Sequence, residues 1–170
     1  MGLFDFFKNK KANKDSKQPT LDFDELQKRA DEGYALIMSG KKDKVNFVET
    51  RCLVYGVDFV KWARESFNVL DKLDEDEIKI LDLIMDKLRM AVSNEQLDEK
   101  TEFGYFSGIL GVFGLLLSYY KNAIWIEENR DDDGYKMNIS GKKVFIEKEI
   151  GAIYDGKSEF QSLDEYYKSL

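Results

Sequence analysis

The chain has 170 residues, 43% hydrophobic and 35% charged, with a net charge of −7; that length and composition fit one globular domain with a proper core and exclude wholesale disorder. It holds no histidine and one cysteine, Cys52, which excludes histidine-based nucleophiles and metal ligands, an intrachain disulfide and a thiolate zinc cluster. An enzyme would have to work with carboxylates, Lys, Tyr or Ser.

The charge is unevenly placed. Five lysines against two aspartates give residues 1–20 a charge of +3, which leaves −10 for the other 150. An acidic body repels phosphates, so no nucleic-acid partner is expected, and it suits a basic protein partner. The single cysteine fits a reducing, cytoplasmic setting.

Residues 1–11 place Phe4, Phe6 and Phe7 before Lys8, Lys10 and Lys11. The charges follow the short apolar stretch, unlike a secretory signal, and Phe6 stands where a myristoylation motif needs Ser or Thr. Two readings remain: a weak anchor on an anionic membrane surface, or a tail whose Phe residues dock on the parent domain. Docking is the preferred reading, because one short segment anchors poorly. Residues 12–20 read as a linker, so a tail over 1–20 precedes a single domain over 21–170.

Thr20 is a candidate cap for a helix carrying Phe23, Leu26, Ala30, Gly33, Tyr34 and Ile37 on one stripe. Gly40 is placed to close it. Over 46–67, Val48, Cys52, Tyr55, Phe59 and Trp62 follow helical spacing; a strand at 52–57 is the alternative, because Gly56 and the β-branched residues weaken a helix. Asp74 and Glu77 form a capping box. The helix they open points Ile78, Leu81, Ile84, Met85 and Leu88 inward and Lys79, Asp82, Asp86 and Arg89 outward. Its acidic start, Asp74, Glu75, Asp76 and Glu77, is a candidate partner-contact edge, or a solvated helix start favoured by the dipole.

Residues 103–120 carry no charge. At about 1.5 Å per residue they reach roughly 27 Å, the short limit of a membrane span. Gly104, Ser107, Gly108, Gly111, Gly114 and Ser118 fall on one arc, opposite Phe106, Ile109, Leu110, Phe113, Leu117 and Tyr120. The preferred reading is the central helix of a soluble domain, its small arc admitting a close neighbour. Three short strands are then expected at Ala123–Asn129, Tyr135–Ser140 and Lys143–Ile146, with turns at Asp133-Gly134 and Ser140-Gly141. Alternation in the second strand turns Tyr135, Met137 and Ile139 inward and Lys136 and Asn138 outward. A short helix at Glu147–Tyr154 and a last one capped by Ser162 and Glu165 complete an α+β fold: a mostly helical first part, a three-stranded antiparallel meander and short closing helices.

The loop 129–134 fits an EF-hand at its first positions, but Ser140 stands where the bidentate Glu is required. No metal, cofactor or catalytic residue is assigned. Asp131, Asp132 and Asp133 are a second candidate acidic contact edge. The acidic helix Leu73–Leu88, the glycine-containing helix 104–120, Trp125 and the run Gly151…Asp155-Gly156…Ser162-Leu163…Tyr166-Tyr167 resemble small uncharacterised bacterial cytoplasmic domains, some of them near toxin–immunity loci. That resemblance implies the fold and no catalytic motif. Three functions compete: a non-enzymatic protein-binding module of immunity type that neutralises a basic partner; a membrane-peripheral or scaffold protein using the Phe/Lys tail; and a carboxylate-based enzyme. The binding module is preferred.

Overall fold

The computed structural model describes residues 21–127 and 134–170, which form an α+β fold. Its helices are α1 (Phe23–Met38), α2 (Phe47–Phe67), α3 (Ile78–Ser93), α4 (Glu99–Tyr120), α5 (Ile146–Tyr154) and α6 (Leu163–Ser169); its strands are β1 (Ile124–Trp125), β2 (Met137–Ile139) and β3 (Lys142–Val144). The strands form an antiparallel meander in the order β1-β2-β3, with Trp125 opposite Met137 and Ile139 opposite Lys142. The β2–β3 turn puts Ser140 and Gly141 both at positive φ, 52° and 83°, as a two-residue hairpin loop matched to strand twist requires.

Helix α4 is the centre. Phe113, Val112, Leu116 and Leu117 are fully buried, and α2, α3 and α5 all pack on α4. The closest approach is α2 to α4, where a Cβ on Gly111 would lie 2.5 Å from the Cys52 carbonyl oxygen and from the Gly56 nitrogen. The small arc is therefore split among neighbours: Gly111 meets backbone, Gly108 meets the Phe59 ring, Gly114 meets the Trp125 indole, and Gly104 faces open space. On the large face, Phe113 stacks on Tyr166 at 5.8 Å and meets Tyr167 edge-on at 5.9 Å. The helix ends where Asn122 turns left-handed at φ 53° and Ala123 donates back to the Leu117 carbonyl, a Schellman-type stop.

Several expectations are corrected. Residues 47–67 are helix, as their spacing predicts, and not the alternative strand at 52–57: burial on nearly all sides overrides the weak propensities, and Gly56 is used for close packing. Thr20 lies outside the described residues; the cap of α1 is Asp22, whose carboxylate accepts from the nitrogens of Asp24 and Glu25. Tyr34, placed on the buried stripe, is 53% exposed, although its neighbour Gly33 packs on the Thr50 side chain of α2. Gly40 is left-handed as expected. Asp74 caps a short 3-10 turn, Glu75–Glu77, ahead of α3, and Glu77 accepts from the backbone of Lys72 and Leu70 instead of reaching back to Asp74. Asp82, expected outward, accepts from the nitrogens of Leu163 and Asp164 at 2.6 and 3.1 Å, so it caps α6 from across the fold. Lys136, also expected outward, is 5% exposed, with its ammonium 5.4 Å from the Phe145 ring, so the ring at the start of α5 offers the cation a partner that the alternation of β2 does not encode. Ile146 opens α5 instead of ending β3.

Candidate functional site

In helix α3, Ile78, Leu81, Met85 and Leu88 face the core. Ile80 and Ile84 flank that face, partly buried against the core, and beyond them Leu83 is 58% exposed. An amphipathic helix needs one apolar stripe to fold, so the apolar surface beyond it calls for another explanation.

Ile80, Leu83 and Ile84 form one wall of a groove. The other wall is aromatic and comes from the last turns of α2 and the start of α4. There the Trp62 indole lies 4.6 Å from the Tyr105 ring, 5.1 Å from Phe67 and 5.4 Å from Phe59. Val69 and Leu97, in the loops at either side of α3, also line it. The groove encloses about 420 Å³, within the usual range for sites that seat a ligand or an anchor side chain, about 300–1,000 Å³. Phe67, at its mouth, is 54% exposed.

The loop between α2 and α3 is held unusually firmly. Leu70 and Leu73 sit at φ 63° and 50° and are yet buried to 1% or less, a backbone conformation that bulky residues rarely adopt. Arg64 fixes it by donating to the Leu70 carbonyl at 3.1 Å and the Asp71 carbonyl at 2.7 Å, and Phe23 packs under the same guanidinium at 4.2 Å. Val69 is thereby set in place at the groove wall.

The groove's lining is mostly apolar; it includes one ammonium, Lys87, and one phenol, Tyr105, and no carboxylate. Elsewhere Glu49, on α2, is 6% exposed beside Arg29 and Glu127. Burial pushes its carboxyl up to about 7, against the opposing pull of Arg29. Among the described residues no cluster of three or more acidic or cysteine side chains could hold a metal ion.

The acidic start of α3 is largely occupied by structural bonds. The Asp74 carboxylate accepts from the Asp76 nitrogen at 3.1 Å, and Glu75 accepts from the Tyr167 hydroxyl at 2.8 Å. Burial raises the Glu77 carboxyl above its usual range while backbone N–H groups of Lys72 and Leu70 pull the other way. Asp76 is exposed, in the 3-10 turn ahead of α3. Asp131, Asp132 and Asp133 lie outside the described residues, as do Phe4, Phe6, Phe7, Lys8, Lys10 and Lys11. The groove itself was missed in the sequence. Its signal was present in Ile80 and Leu83, apolar positions beyond the inward set Ile78, Leu81, Ile84, Met85 and Leu88.

Comparison of the chain with protein-family models, with curated proteins and with solved structures finds no match.

Proposed function

We propose that this chain is a non-enzymatic protein-binding module, cytoplasmic and of immunity type, whose groove between α2 and α3 receives apolar anchors of a basic partner. The observation that carries this reading is the groove itself: an aromatic wall around Trp62, an uncovered aliphatic wall at Leu83, and a mouth at Phe67. Large rings in a concave apolar site are the residues that dominate affinity at interfaces. Charge supports the choice of partner. The body outside the first twenty residues carries −10, and the exposed carboxylates of Asp71 and Asp76 stand near the Val69–Ile80 end. Such a field speeds encounter with a basic protein and sets its register, while the buried anchors supply the affinity.

The test is capture from native lysate with the wild type and with Leu83→Asp, at low and high salt. Leu83 is more than half exposed, so the substitution should leave thermal unfolding unchanged. A basic partner held by the wild type, weakened by salt and lost to Leu83→Asp supports the reading. Capture that is indifferent to Leu83→Asp and to Phe67→Ser overturns it. Retention on anionic vesicles alone, abolished by deleting residues 1–11, would favour the membrane-peripheral alternative.

A further inference from the structure

We infer that the exposed face of α3 is an interface with a second copy of this chain, which packs there antiparallel about a two-fold axis. This contact needs no other partner, and so goes beyond the reading of the groove as a site for a basic protein. Exposure and the order of side chains along one stripe carry it. Leu83 and Met90 of α3 are 58% and 64% exposed, and Phe67 at the groove's mouth is 54% exposed. The stripe through Leu83 runs Asp76, Ile80, Leu83, Lys87, at steps of four, three and four, the spacing that keeps side chains on one side of a helix. Asp76 stands in the 3-10 turn Glu75–Glu77, which runs straight into α3 at Ile78. Asp76 and Lys87 are both exposed, and among the described residues neither has an ion-pair partner.

That order is acid, apolar, apolar, base, and it is complementary to its own reverse. With the two-fold axis between Leu81 and Asp82, Asp76 of one copy meets Lys87 of the other, and Ile80 meets Leu83. Every contact then occurs twice, as a two-fold interface requires. A parallel pair would set Asp76 beside Asp76 and Lys87 beside Lys87, so charge decides the orientation. The charged pairs lie about 5.5 residues from the axis, roughly 8 Å along the helix; where the helices cross at a shallow angle, near about 20°, the lysine stem closes the remaining gap. Net charge opposes association, since each copy carries −7. At about 0.15 M salt that repulsion is screened beyond about 8 Å, whereas the paired groups meet at contact. One helix and a groove rim make a small interface, below about 1,200 Å², so a weak dimer is expected, with a Kd on the order of 10 μM.

Sedimentation equilibrium of the purified full chain tests this, at about 0.15 M salt and from about 5 to about 500 μM chain. A monomer–dimer equilibrium is expected. Asp76→Lys and Lys87→Asp should each weaken it about tenfold or more, because each puts two like-charge pairs into the interface. The double variant Asp76→Lys/Lys87→Asp reverses both partners and should return the Kd to within about threefold of the wild type. An equimolar mixture of the two single variants should form a heterodimer, since the two lysines of one chain then face the two aspartates of the other. Both positions are exposed, so thermal unfolding should change little, and the mixture reads the contact even where one variant's own stability shifts. A chain that stays monomeric over this range overturns the proposal. So does a dimer that is indifferent to the single reversals, or one that neither the double variant nor the mixture restores. The two readings fail separately: a monomer whose partner capture is lost on Leu83→Asp refutes only the dimer, and a dimer that captures no basic partner refutes only the partner reading.

Discussion

Glu49 brings a carboxyl into the interior of the fold beside Arg29 and Glu127, and burial raises it to about 7. In the unfolded chain the same carboxyl titrates near its ordinary value, about 4.3. Between those two values the folded state holds a proton that the unfolded state has lost. Stability from this group is therefore present at low pH and is lost as pH rises through the window from about 4.3 to about 7. The full span corresponds to at most about 4 kcal/mol. Glu49→Gln, which cannot ionise, should flatten the dependence of Tm on pH between 5 and 7.5. An unchanged slope would mean that Glu49 is charged in the fold and fully compensated by Arg29.

At the scale of elements, the α2–α4 contact depends on two glycines meeting across the interface. Gly111 touches the backbone of α2 at Cys52 and Gly56, and backbone cannot step aside as a side chain can. Gly111→Ala should force the helices apart and cost about 1–3 kcal/mol or more. Gly104, on the same arc of the same helix, has nothing within 4 Å of the place a methyl group would take, and Gly104→Ala should be neutral or stabilising by up to about 1 kcal/mol through helix propensity. Thermal unfolding of the two variants reads the difference directly. Equal Tm values would remove the close-packing account of α4. Helix α6 shows a different coupling: its N-terminus is capped both by its own Ser162 and by Asp82 of α3, so the C-terminal helix is tied to the middle of the chain.

For the whole molecule, α4 raises the question of location. It is 22 residues long with a mean hydropathy of 1.4 over its most apolar window, and 61% of that window is buried within the fold. Phe113, Leu116 and Leu117 already have protein neighbours, and transfer to lipid would strip them away. The protein is expected in the soluble fraction after cell lysis, with at most a salt-sensitive membrane trace that disappears when residues 1–17 are removed. Recovery only with detergent would show that α4 crosses the bilayer and that this packing is not the resting state.

Local chemistry made much of this legible before any tertiary contact was known. Apolar spacing marked α1, α3 and α4; Gly40 and Gly141 marked an end and a turn; and the alternation of Tyr135, Met137 and Ile139 marked the meander. These signals are carried by neighbours in sequence, so a short window suffices to read them. What the tertiary structure alone decided involves residues far apart in the chain. Residues 47–67 became a helix because packing on α1 and α4 outweighed weak propensities. Asp82 became a cap for a helix that begins 81 residues later. Lys136 became buried in the folded chain, with its ammonium over the Phe145 ring. The groove is the clearest case: Trp62, Leu83 and Tyr105 are each ordinary residues on their own helices, and only the packing of α2, α3 and α4 sets the Trp62–Tyr105 pair and Leu83 around one groove.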